Sequence, residues 1–166
     1  MSQSTKATGA LIDAHLMMVG KLVTNAAVCD AILFSAFRVV SGCEATIASA
    51  IYFSSESLPA KKNVVKRILL AVGDSEETEI VGRIMDATTS AHTQRNEVSH
   101  ALLRASHDGK KILAHNPRRQ VQPEKPVTGP SLDGLLKKSS KAYLDAYRAF
   151  LELCQKRGIP PTVTVE

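Results

Sequence analysis

The sequence predicts an all-α fold, a five-helix up-and-down bundle forming a single domain over residues 1–166. Three observations predict it. Apolar residues recur every three or four positions through most of the chain. Gly and Pro stand where helices should stop. Only the fragment KKILAH, residues 110–115, reads as a short strand. Aromatic residues make up 4% of the chain and Trp is absent, so aliphatic side chains and Ala must build the core.

The first helix is expected over 10–41, where Ile12, Leu16, Val19, Val23, Ala26, Leu33, Phe37 and Val40 form one apolar stripe. Gly20 can bend it, and Gly42 stands in the position of a C-terminal cap. A short second helix follows in CEATIASAIYFSSES and is closed by Leu58-Pro59. Pro59 suits the first turn of a third helix, with Val65, Ile68, Leu69 and Val72 facing inward and Gly73 as its stop. Asp74 opens a fourth helix with Glu77 three residues on, a capping-box pattern whose acidic first turn suits the helix dipole. That helix should pass through Ile80, Ile84, Ala91, Val98 and Leu102 to about Ser106. Residues 107–130 carry four prolines and two glycines and read as an irregular Pro/Gly-rich surface excursion. A last helix starts at Ser131 or Leu132, carries Leu135, Leu136, Tyr143, Leu144, Tyr147, Leu151 and Cys154, and stops at Gly158 and Pro160-Pro161.

Cys29, Cys43 and Cys154 are too few and too scattered for a disulfide framework, and no pair has metal-ligand spacing. They read as reduced intracellular thiols, and neither a metal nor a cofactor is expected. The N-terminus lacks the basic-then-apolar build of a signal peptide. Asp13, Lys21, Asp30 and Arg38 interrupt the most apolar segment before it reaches the ~20 residues of a bilayer span. The expectation is a soluble cytoplasmic protein.

The net charge of +5 is unevenly placed. Residues 95–141 hold 10 basic and 4 acidic residues, whereas residues 1–94 hold 8 and 9. A basic segment of this kind either attracts polyanions or forms a solvated loop. No aromatic residue lies between Phe53 and Tyr143, so bases would find no stacking partner there and only a backbone could be read.

Two charges fall inside apolar stripes. Continuing the rhythm of the first helix past Ala26 lands on Asp30, and the fourth helix has Arg95 where its stripe of Ile84, Thr88, Ala91, Val98 and Leu102 lacks a member. Burying either alone costs several kcal/mol, so each needs a partner, and the simplest expectation is that they meet. Such a pair either fixes helix register or serves a site. Around Arg95 the sequence reads Gln94-Arg95-Asn96-Glu97-Val98-Ser99-His100. At ~100° per residue, Asn96 and His100 lie one turn apart, as do Arg95 and Ser99, and the four together span an arc of ~140°. Guanidinium matches phosphate bidentately, and imidazole exchanges protons near neutral pH.

Arg95-Asn96-Glu97-Val98-Ser99-His100 resembles the R-x4-H motif of the HEPN superfamily (higher eukaryotes and prokaryotes nucleotide-binding domains), in which a polar residue, often Asn, commonly follows the Arg. The layout is also similar: a helical bundle, the motif late in a core helix, and a further long helix after it. The chain resembles as well a group of uncharacterised bacterial proteins whose first helix carries an acidic residue in its apolar face, a place Asp30 fills.

The resemblance implies a metal-independent ribonuclease, acting as a dimer whose composite site forms where two copies of the motif face each other. Many members of that superfamily belong to toxin–antitoxin or phage-defence systems, which makes an antitoxin a further implied partner. On this chain His100 would be the general acid/base on the RNA 2′-hydroxyl or the leaving oxygen. Arg95 would stabilise charge on the phosphate, and Asn96 would bond a phosphate oxygen or orient His100. Asp30 would orient Arg95, with Ser99 beside it. Lys110, Lys111, Arg118, Arg119, Lys125, Lys137 and Lys138 would hold the RNA strand nonspecifically. Arg95 lies on the apolar stripe and His100 off it, a separation that a symmetric dimer can repair. The resemblance also allows a non-catalytic HEPN-like module that binds RNA, a nucleotide or a protein partner, and a purely structural homodimer is a third reading.

Elsewhere the sequence is bland. His15, His92, His107 and His115 share no ligand spacing and read as structural or solvated. No Gly-rich phosphate loop, paired-carboxylate motif or Ser–His–Asp signature is present. Tyr143, Tyr147 and Phe150 suit core or dimer packing.

Overall fold

Ala26, Ala36, Ala87, Ala91, Ala142, Ala146 and Ala149 are all buried, and their small side chains let three long helices approach closely. The computed structural model describes residues 3–99, 102–105, 112–115, 125–127 and 129–163, with side chains over 12–99 and 132–163. Its elements are α1 (Gln3–Ser41), α2 (Ala45–Phe53), α3 (Leu58–Val72), α4 (Ser75–Ser99), β1 (Leu102–Ala105), β2 (Ile112–His115), β3 (Lys125–Val127) and α5 (Gly129–Arg157). The five helices form an all-α bundle.

Cross-helix contacts set its directions. Leu22 of α1 clusters with Val98 of α4 and Leu132 of α5. Farther along, the Thr88 hydroxyl lies 3.2 Å from the Cys29 carbonyl, and Arg83 pairs with Glu152 at 2.7 Å. Thus α4 runs antiparallel to both α1 and α5. The α2–α3 pair covers the C-terminal half of α1, where Tyr52 packs on Phe34 and Phe37 at ring-centroid distances of 5.3 Å and 5.8 Å.

The termini follow the sequence signals. Asp74 accepts the Glu77 amide at 2.8 Å while Glu77 accepts the Asp74 amide at 3.3 Å, completing the expected capping box of α4. Hydrogen bonding from the Glu77 amide and from Lys156 holds the Asp74 carboxyl below its ordinary value. Ser57 caps α3, with Pro59 in its first turn. Gly42 and Gly158 close α1 and α5 at φ values of 63° and 62°, left-handed positions that other residues adopt only at a cost.

Four expectations need correction. The stripe of α1 is only partly buried: its covered face is Leu22, Ala26, Cys29, Leu33, Phe37 and Val40, whereas Ile12, Leu16 and Val23 are exposed. The reason is helical phase: at ~100° per residue Ile12, Leu16 and Val23 lie roughly a quarter turn or more round α1 from Leu22, whereas His15, Ala26, Cys29 and Leu33 share the Leu22 side and are buried. By length and composition Ile12–Ser41 is also apolar enough to cross a membrane, although its C-terminal half supplies the central core helix here. On α3, Val72 is exposed rather than inward. Helix α4 stops at Ser99 instead of about Ser106, and Leu102 belongs to β1. Finally, the excursion is not wholly irregular: Ile112–His115, within the fragment expected as a strand, form β2, which pairs antiparallel with both β1 and β3, in registers that include Leu102↔His115 and Ile112↔Val127. Strand pairing satisfies backbone groups that the prolines of this segment would leave open in a helix.

One ion pair ties the chain's last helix to the start of α4. The Glu77 side chain is 4% exposed and is gripped by Arg157 through both Nε and Nη2, the latter at 2.8 Å, while Lys156 binds Asp74 at 2.9 Å and also Glu76. Arg157→Met leaves the buried Glu77 carboxylate without its cation. We expect it to lower unfolding free energy by about 2 kcal/mol in urea titrations, with Arg83→Met, which breaks an exposed pair, changing it by under about 1 kcal/mol.

Candidate functional site

Asp30 sits on the α1 face covered by α2 and α3, and the structure answers its charge there. Its carboxylate accepts the Tyr52 hydroxyl at 2.9 Å and the Lys61 ammonium at 2.6 Å, with side-chain exposures of 20% for Asp30 and 12% for Lys61. The Lys61 nitrogen also lies 5.0 Å from the centroids of both Tyr52 and Phe53, within cation–π range. The expected meeting of Asp30 with Arg95 is therefore corrected: the first turn of α3 delivers a cation to Asp30 before α4 needs to. Asp30 does not position Arg95 through a hydrogen bond.

The carboxylate marks its surroundings. Burial and then Asp30 push the Cys29 thiol up to about 12. Burial, Asp30 and the hydrogen bond to it push the Tyr52 phenol up as well, so both groups stay protonated. Cys29 and Cys154 are buried core thiols, and Cys43 is half-buried.

Arg95 is half-buried on α4, and its Nη1 donates to Oδ1 of Asn96 at 3.0 Å. That contact is its only hydrogen bond among the described residues, so most of its five donors remain available. Asn96 and Ser99 are exposed on the same terminal turns. One turn before Arg95 stands His92, half-buried, with an Nε2 that is buried and has no hydrogen-bond partner. Burial holds its pKa below the ordinary value. Arg95 and Lys61 lower it further and Asp30 raises it, which places all four groups in one electrostatic neighbourhood. Just before that turn, Lys62 of α3 donates to the Thr89 hydroxyl at 2.8 Å, tying α3 to α4.

The arrangement is thus a junction of α1, α3 and α4 in which one carboxylate pairs with one lysine, and the Arg95 guanidinium has no carboxylate partner among the described residues. Of the residues singled out in the sequence, it brings together Arg95 and Asn96, with Ser99 on the adjoining turn. His100, Lys110, Lys111, Arg118 and Arg119 lie outside the described residues, and Lys125 is placed only as backbone in β3. Lys137 and Lys138 are exposed on α5.

Against known proteins, the chain matches no family model, no curated protein and no solved structure. The chemistry of the junction therefore rests on its own residues.

Sequence reasoning missed Lys61, Tyr52 and His92. Nothing in the spacing of Lys61-Lys62 separates the buried cation from the solvated one. The usable signal was Asp30 itself: a carboxylate in an apolar stripe demands a cation, and Pro59 sets the start of α3 so that Lys61 falls in its first turn.

Two outcomes follow. Lys61→Met should cost about 2 kcal/mol, because it strands Asp30, whereas Tyr52→Phe removes one hydrogen bond and should cost about 1 kcal/mol, both read from urea midpoints. The pH dependence has a definite sign. His92, and likewise the buried His15 with neither ring nitrogen partnered, has a folded pKa below its ordinary value of 6.5. The unfolded chain therefore takes up these protons first, so the stabilisation is complete above pH 6.5 and is lost as pH falls below it. A His15→Leu, His92→Gln double variant should show a flatter stability profile between about pH 6.5 and 5 than the parent chain.

Proposed function

We propose that this chain is a metal-independent ribonuclease of the HEPN type that acts as a dimer. The observation that carries the reading is Arg95: a half-buried guanidinium with open donors, held beside Asn96 on the terminal turns of α4. In this reading Arg95 binds the scissile phosphate and stabilises its developing charge, and Asn96 adds a donor. His100, supplied across the two-fold from the second copy, moves the proton of the 2′-hydroxyl or of the leaving oxygen. Attack by the 2′-hydroxyl leaves a 2′,3′-cyclic phosphate. A place in a toxin–antitoxin or phage-defence system, an antitoxin partner and a cytoplasmic location belong to the same proposal.

Asp30 has a different part from the one the resemblance implies. Paired with Lys61, it keeps a second cation from repelling Arg95 and holds α3 against the junction. A second reading, a non-catalytic helical module binding RNA, a nucleotide or a protein partner, draws support from the Arg95–Asn96 contact, which occupies the Asn96 carbonyl.

Incubation with end-labelled RNA in EDTA separates them. Cleavage with cyclic phosphate ends is expected, falling at least about a hundredfold in both Arg95→Ala and His100→Ala with urea midpoints kept within experimental error. Intact RNA under these conditions, with binding retained, supports the second reading instead.

A further inference from the structure

A groove of about 610 Å³ runs between α4 and α5, on the side of α4 away from the Asp30 junction. Its rims carry four cations, Arg83, Lys138, Lys141 and Arg148, against two carboxylates, Asp86 and Asp145. Its floor is shallow-sided because α4 and α5 meet through small residues such as Ala87 and Ala142. We infer that this groove is a track for the phosphodiester backbone of a single-stranded nucleic acid. The inference rests on the reading of the chain as an RNA-handling protein; it extends the strand contact implied for Lys138 and adds Arg83, Lys141 and Arg148 to it.

Two features favour that occupant. The groove is elongated: Lys138, Lys141 and Arg148 lie along ten residues of α5, about 15 Å, enough for several successive phosphates. A second depression of about 530 Å³ on the flank of α5 shares Lys141 and Arg148 with the groove and adds Lys137 beside them, against the carboxylates Asp133 and Asp145. No aromatic side chain lines either depression, so bases gain no stacking platform and the backbone is the part that can be read.

The carboxylates do not close the track. Asp145 sits on Lys141 at 2.5 Å and Glu152 on Arg83 at 2.7 Å, but these are exposed pairs of the kind that contribute little and open readily. Lys138 and Arg148 have no carboxylate partner among the described residues and would meet phosphate first.

A labelled single-stranded oligothymidylate tests this directly, since without a 2′-hydroxyl it reports binding and cannot be cleaved by the proposed mechanism. Each of Lys138→Gln, Lys141→Gln and Arg148→Gln should weaken binding about fivefold at ~0.1 M salt and flatten the slope of log K against log salt by about 0.7. Asp145→Asn, which frees Lys141, should tighten binding. The three glutamine variants change exposed side chains, and unchanged urea midpoints will show that folding is intact. Failure of the parent protein to bind the oligonucleotide, or binding by all three variants at the parent affinity and salt slope, overturns the inference. Absence of RNA cleavage, with groove-dependent binding retained, removes the ribonuclease reading and leaves the track in place.

Discussion

The placement of one carboxylate organises much of this bundle. Asp30 lies in the run of α1 that supplies the central core, where an unpaired charge costs several kcal/mol. The chain meets that cost by wrapping α2 and α3 over the same face. Tyr52 gives Asp30 a hydroxyl donor, Lys61 gives it a cation, and the Tyr52 ring packs on Phe34 and Phe37 beside the part-buried pair. The link between α1 and α4 is thus a structured cover over the C-terminal half of α1.

The consequence reaches α4. Because α3 already supplies a counter-charge to Asp30, Arg95 is not consumed as a structural partner. It remains half-buried at the end of its helix, with one hydrogen bond among the described residues, next to a histidine whose pKa burial lowers. Guanidinium in partly dry surroundings binds phosphate more strongly than it would in bulk water. The bundle's other polar contacts do a different job: the Glu77–Arg157 pair and the capping box at Asp74 fix how α4 and α5 meet, far from Arg95.

The fold was legible where local physics decides it. Gly42, Leu58-Pro59, the Asp74–Glu77 pair and Gly158 each mark a helix end that the structure reproduces within a few residues. Burial was less legible, because periodicity shows that a face is apolar but not which edge of it the partners cover; Ile12, Leu16 and Val23 lie to one side of the buried line through His15, Leu22 and Ala26. The stop of α4 at Ser99 and the pairing of β1 with β2 depend on contacts between segments ten residues apart, which no single-helix pattern contains. At the site, the sequence pointed correctly to the two charges in apolar stripes and wrongly to their union. A pairing rule gives the need for a cation; only the packing of α3 says which cation meets it.

The central claim is that Asp30 is satisfied by Lys61 and so leaves Arg95 free. Two double-mutant cycles on unfolding free energy measure it, one between Asp30→Asn and Lys61→Met and one between Asp30→Asn and Arg95→Met. The account predicts a coupling of about 1.5 kcal/mol or more for Asp30 with Lys61, and one within about 0.5 kcal/mol of zero for Asp30 with Arg95. A dominant coupling between Asp30 and Arg95, with little to Lys61, would contradict it, because the guanidinium would then be a structural counter-ion and not an open anion site.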